Sequence, residues 1–137
     1  MKVISHRIPI IVLLAATSGI ALAGEAMAKL TGAQETPAVI SDAQGMSGIV
    51  IAADHTVSGA VKTTGIAGTA AHIHMAAKGA SGPAIVTLAA AGADEWRVPE
   101  GSKLTDDQYA AYKAGMLYVN VHSAAYKDGE IRTQLTP

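Results

Sequence analysis

Ala71-His72-Ile73-His74-Met75 is the stretch on which the reading of the whole chain turns. Side chains along an extended strand alternate between faces, so His72 and His74 point one way while Ala71, Ile73 and Met75 point the other. Apolar groups on one side and imidazoles on the other describe a strand with one face on a core. The two imidazoles stand about 7 Å apart by strand rise, close enough to share one metal ion after small adjustments. A second apolar run, residues 116–122, ends in His122. Of the five histidines, His72, His74 and His122 are the ones expected to form a site. His55 reads as a turn residue, and His6 belongs to an N-terminal leader.

Working outward from that strand, extended runs dominate. Residues 30–35 form a first strand, stopped at Thr36-Pro37, where the proline ring removes a ladder donor. Residues 46–52 and 56–64 make a hairpin about Asp54-His55, with Val57, Gly59 and Val61 sharing a face. Residues 84–88 are short and β-branched. Residues 89–101 carry Gly92, Asp94, Pro99 and Gly101 and read as an excursion whose Trp96 covers a sheet edge. Thr105-x-x-Gln108 is a capping box that opens one helix, Asp106 and Asp107 suit the positive end of its dipole, and Gly115 closes it. In the last two strands, 116–122 and 130–135, Leu117, Val119, Val121, Ile131, Thr133 and Leu135 face the core. Tyr118, Asn120, His122, Glu130, Arg132 and Gln134 face the other way. The expected fold is all-β, a Greek-key β-sandwich or barrel of about seven or eight antiparallel strands with one short helix inserted before the last two.

Composition narrows what such a domain can do. Lys2 and Arg7 precede an apolar run, residues 8–23, followed by two A-x-A cleavage signals, Ala21-Leu22-Ala23 and Ala26-Met27-Ala28. This is the pattern of a secretory signal peptide, so residues 1–28 are expected to be a leader, cut after Ala23 or Ala28, and 29–137 the folded domain. The run is short for a spanning helix of about 20 residues, and no later segment suits a bilayer. Loss of Lys2 and Arg7 leaves eight basic against eleven acidic residues, a formal charge of −3, or −2 if Glu25 is also removed. A mildly acidic surface without a basic cluster argues against nucleic acid as a partner. With no cysteine, an exported chain offers neither disulfides nor thiolate ligands and must hold together by its core. That core has no Phe and one Trp, so small side chains imply closely spaced layers.

With these residues in view, the chain resembles the CHRD domain, the module repeated in chordin and also found alone in exported bacterial proteins. The likeness is carried by residues 30–35 with Pro37, Ala71-His72-Ile73-His74, residues 79–83, Gly115 with Tyr118-Val119-Asn120-Val121-His122, and Gly129-Glu130-Ile131-Arg132. It implies an extracytoplasmic location, secreted or periplasmic, and little chemistry. In chordin the module belongs to an extracellular antagonist of growth factors. A looser likeness is to the copper–zinc superoxide dismutase sandwich, in which a H-x-H strand and a V-x-V-H-like strand supply copper ligands. His72, His74 and His122 match those positions. The bridging histidine, the remaining zinc ligands and the disulfide cysteines have no counterpart, and Arg132 is the one candidate for a catalytic arginine.

Three neutral imidazoles suit copper, zinc, nickel or iron, and copper is expected ahead of zinc in an oxidising compartment. A metal-bound imidazole commonly donates its other N–H to a carboxylate, carbonyl or amide, which makes Asn120, Glu130 and Arg132 the expected outer partners of the ligands. The alternative for Glu130 and Arg132 is a surface cross-strand ion pair worth at most about 1 kcal/mol. Met75 is expected in the core. The chain lacks a G-x-S-x-G elbow, a P-loop and a H-E-x-x-H helix, so no nucleotide or organic cofactor is implied. Metal handling is the leading expectation. A copper-dependent, superoxide dismutase-like redox enzyme and a metal-free extracellular protein-interaction module are the alternatives.

Overall fold

The structure is a computed structural model that describes residues 27–137; residues 1–26, with His6 and most of the expected leader, lie outside it. Its elements are β1 (Ala28–Thr31), a 3-10 turn (Gly32–Gln34), β2 (Gln44–Ser47), β3 (Val50–Ile51), β4 (Val57–Ser58), β5 (Ala60–Thr64), β6 (Gly68–Met75), β7 (Ala84–Thr87), β8 (Ala89–Ala90), β9 (Glu95–Arg97), α1 (Asp106–Lys113), β10 (Leu117–Ser123) and β11 (Ile131–Leu135). Nine strands form one antiparallel sheet in the order β7-β6-β10-β11-β1-β2-β5-β9-β8, and β3 pairs with β4 in a separate ribbon. The strands at the two ends of that order, β7 and β8, are one run of chain interrupted at Leu88. The first half pairs with β6 and the second with β9, which brings the sheet round on itself as a nearly closed barrel. β5 and β6 follow each other in sequence but stand four strands apart in the order, so the 65–67 link crosses between the halves.

Period-two alternation places the core. Ala71 and Ile73 of β6, Leu117, Val119 and Val121 of β10, and Ile131 and Leu135 of β11 are buried on one face with Leu30, Val61 and Trp96. Each large aliphatic side chain so buried contributes roughly 1.5–3 kcal/mol. Met75 packs partly against this cluster, as expected.

Several strand boundaries differ from the sequence reading, each for a local reason. The first strand ends at Thr31, because the Gly32 carbonyl turns out of the ladder to accept from Glu35 N at 3.0 Å and Val39 N at 2.9 Å. The hairpin exists, but both of its arms break at the same level. Gly59 sits at φ +103° with the Gly48 carbonyl packed where a side chain would stand, and the arms beyond become the β3–β4 ribbon. At its tip His55 adopts φ +73°, while Asp54 accepts from Thr56 N and Oγ1. The 89–101 segment is not a plain excursion. It contains β8 and β9, and Trp96 enters the core rather than covering an edge.

The helix forms where its signals lie. Thr105 Oγ1 accepts from Gln108 N while Gln108 Oε1 accepts from Thr105 N. At the other end Gly115 N and Met116 N donate to the Tyr112 and Ala111 carbonyls, the paired bonds of a Schellman cap. Tyr109, Ala111 and Tyr112 dock α1 on the barrel, and His55 stacks on Tyr109 at 4.1 Å. Thr105→Ala removes one acceptor and should lower stability by about 1 kcal/mol, read as a shift in the urea midpoint with unchanged slope.

Candidate metal centre

β6 and β10 lie side by side in antiparallel register, with His72 opposite Asn120 and His74 opposite Tyr118. The outward face of β6 therefore meets the outward face of β10, and a register shift between His122 and Ser123 marks the strand end where the third imidazole stands. The three ligand-capable nitrogens all lie within 4.8 Å of one another. Sequence alternation placed these residues off the core face, and the structure brings all three together. His55 is not among them.

The hydrogen bonds fix which nitrogens are free. His74 Nδ1 donates to the Gly82 carbonyl at 2.9 Å and His122 Nδ1 to the Lys127 carbonyl at 2.7 Å. A carbonyl can only accept, so both rings carry their proton on Nδ1 and present the Nε2 lone pair. His122 Nε2 meets His72 Nδ1 at 3.0 Å, which makes His72 the donor in that contact. His74 Nε2 is buried without a partner. Burial, followed by the neighbouring His122 and His74, lowers the pKa of His72 below its ordinary value. Burial also dominates at His74, against the opposing Gly82 bond. Both rings are therefore neutral, and competent as ligands, at pH 7.

The face of β10 turned away from the core is covered as well. Every residue of β10 is buried on both sides, because the 76–83 loop folds over it. Arg132, 2 % exposed, ties that loop down by donating from Nη1 to the Ala80 carbonyl at 2.8 Å and from Nη2 to the Ala77 carbonyl at 3.2 Å. Gln134 Nε2 donates to the Ala76 and Gly115 carbonyls, both at 2.8 Å. Tyr118 accepts from Gly82 N at 3.2 Å and is stacked against His74 at 4.7 Å with ring planes 2° apart. The Arg132 guanidinium lies 3.4 Å from the centroid of the Tyr118 ring, a cation–π contact.

The expected outer partners fare differently. Asn120 lies next to His74, close enough to favour the protonated ring, and its Nδ2 donates to the Asp128 carbonyl at 3.3 Å. Glu130 turns the other way and accepts from Ser41 Oγ at 2.6 Å. No Glu130–Arg132 ion pair forms among the described residues. Arg132 supports the centre at one remove, through the loop whose Gly82 carbonyl holds His74. With Nη1 and Nη2 bonded to protein oxygens and the residue 2 % exposed, it is not presented to an incoming anion.

One residue of this region escaped the sequence reading. Glu35, just past the 3-10 turn, is 8 % exposed, and its carboxyl abuts the Asn120 carboxamide above Gly129. A side chain at 129 would overlap both groups, and the backbone there is at φ +124°. Burial is the main cause that raises the Glu35 pKa to about 7, against the opposing effects of the nearby Asn120 carboxamide and the Arg132 charge.

The CHRD-domain family model matches residues 26–135, from the start of the barrel to the end of β11. The chain belongs to the CHRD family. No curated protein and no solved structure gives a match. The CHRD match spans both histidine strands, the 76–83 loop and Glu35, so every part of the centre lies within the family domain. Among the described residues of this CHRD chain, no helix is long and apolar enough to cross a membrane.

Proposed function

We propose that this chain is an exported CHRD protein that binds a transition-metal ion through His72 Nδ1, His74 Nε2 and His122 Nε2. The observation that carries the reading is the convergence of three imidazole nitrogens within 4.8 Å, with two of the rings oriented by backbone carbonyls. A carbonyl on the remote N–H is the usual way a protein fixes the tautomer of a metal-binding histidine. Uptake needs one tautomer change: His72 moves its proton from Nδ1 to Nε2 and frees the nitrogen that faces His122. Copper is favoured over zinc. Neutral imidazoles without a thiolate suit Cu(II), and an exported chain meets its metal in an oxidising compartment. Export is supported by the leader pattern of residues 2–23. A dismutase-like reaction has less support, because the arginine it needs is occupied by the 76–83 loop.

The test is metal content and melting temperature of the purified chain loaded with Cu2+ or Zn2+. One equivalent is expected, with stabilisation of about 2.7 kcal/mol when free metal stands at a hundred times Kd, and His74→Ala or His122→Ala should remove both. Equal metal in the wild type and the variants, or none in any, overturns the reading. Retention of a protein partner by a His72→Ala variant that has lost its metal would instead favour the interaction-module alternative.

A further inference from the structure

Three buried polar atoms in adjoining residues have no hydrogen-bond partner: His74 Nε2, Asn120 Oδ1 and Glu35 Oε1. Buried polar groups are rarely left so, and here they run in a row from the histidine centre to a carboxyl. On its other side Glu35 lines a cavity of about 230 Å3 with Thr36, Pro37, Tyr126, Lys127 and Asp128. The carboxyl thus stands between the centre and an opening to solvent.

We propose that Glu35 is the counter-charge of the histidine centre: when a divalent ion enters, the carboxyl releases its proton through this cavity, so that metal uptake and Glu35 ionisation are one event. This rests on the three-histidine reading. The chemistry follows from charge. Imidazole ligands bring no charge of their own, and the acceptors that orient His74 and His122 are neutral carbonyls, so a divalent ion in this part-buried site would have no anion among its ligands. Glu130, the acid expected there, is turned to Ser41. The charged groups that bear on Glu35 are Arg132 from β11, which favours the carboxylate, and Asp128 from the preceding loop, which opposes it. Lys127 and Tyr126 flank the cavity, and His74 stands beyond Asn120. Burial keeps the carboxyl mostly protonated below about pH 7, so the proton is there to be released. Glu35 acts through Asn120 and is a positioning residue, not a ligand.

The experiment counts protons. One equivalent of Cu2+, and separately of Zn2+, is added to the full chain in a pH-stat at pH 6.5 and at pH 8.5. At pH 6.5 the wild type should release about three-quarters of a proton more than Glu35→Gln, and at pH 8.5 the difference should vanish. The wild-type affinity relative to that variant should rise about tenfold between pH 6 and pH 8. Glu35→Asp keeps a carboxyl and should recover part of the extra proton. If Glu35→Gln does not fold, the infrared difference spectrum of the wild type on metal addition at pH 6.5 decides instead: loss of a protonated carboxyl band with gain of a carboxylate band supports the assignment, and its absence overturns it. Metal bound equally by wild type and variant, with equal proton release, overturns the Glu35 assignment and leaves the histidines standing. No binding by either overturns both.

Discussion

Replacing Arg132 by methionine should cost about 3–4 kcal/mol of folding free energy, although methionine is close in length and far more apolar. A buried cation is expensive, and exchanging a whole buried ionic cluster for hydrophobic groups is often neutral or stabilising. That argument fails here because the acceptors are the backbone carbonyls of Ala77 and Ala80, with Gln134 Oε1. They remain after the substitution. Each hydrogen bond lost from a charged donor is worth roughly 1.5–3 kcal/mol, discounted here because Ala77 and Ala80 are exposed residues whose carbonyls water can reach once the loop lifts. Urea denaturation gives the global loss, and amide exchange in residues 77–82 should accelerate well beyond the rest of the barrel. Arg132→Lys should fall between, since an ammonium lacks the planar fork that spans two carbonyls. Because the same loop carries the Gly82 carbonyl that orients His74, metal affinity should fall alongside loop protection. Unchanged stability and exchange in the methionine variant would refute the strapped-loop account.

In the metal-free protein, Glu35→Gln should stabilise the fold by about 3 kcal/mol at pH 8 and by nothing measurable at pH 4. The native carboxyl titrates near 7 against an ordinary 4.5, and each unit is worth about 1.4 kcal/mol. A carboxyl with a raised native pKa holds its proton more tightly in the folded state, so its contribution is fully present below pH 4.5. It is lost as pH rises towards 7. Glutamine stays neutral throughout and escapes that loss. His72 and His74 act in the opposite sense, because their native values are depressed. The unfolded chain takes up protons first as pH falls through 6.5, and stability declines on acidification. The wild type should therefore show the two trends opposing each other between pH 4.5 and 6.5, whereas Glu35→Gln should show only the acid-side decline. A wild type and variant that differ by the same amount at pH 4 and pH 8 would sink the burial argument.

What could be read from the amino-acid order was what alternation controls. In residues 71–75, 117–122 and 131–135 a period of two separates core from site, and the structure keeps that separation. The capping box at Thr105 was equally legible, since both halves lie within four residues. What stayed hidden depends on segments distant in sequence. Glu35 is buried only because Asn120 and Gly129 come to lie against it. Its polar neighbours, with a proline two residues on, read only as the end of a strand. Glu130 matched the alternation of its strand, yet β11 begins at Ile131, and one residue ahead of the ladder the side chain is free to follow Ser41. β8 and β9 span two and three residues, too few for any period to show. Trp96 reached the core through them. Nothing in the residues of β10 announces the loop that Arg132 fastens over its outward face.

The switch of partners at Leu88 has a consequence for how copies of the chain behave together. The unpaired sides of the main sheet belong to Ala84–Thr87 and Ala89–Ala90, so neither border offers more than a few backbone donors and acceptors to a neighbouring molecule. Long bare borders invite strand addition, swapping and fibril growth. A β-rich protein without cysteine has no covalent staple to keep such a border closed. Here one short run of alanine-rich chain does that work by belonging to both ends of the sheet.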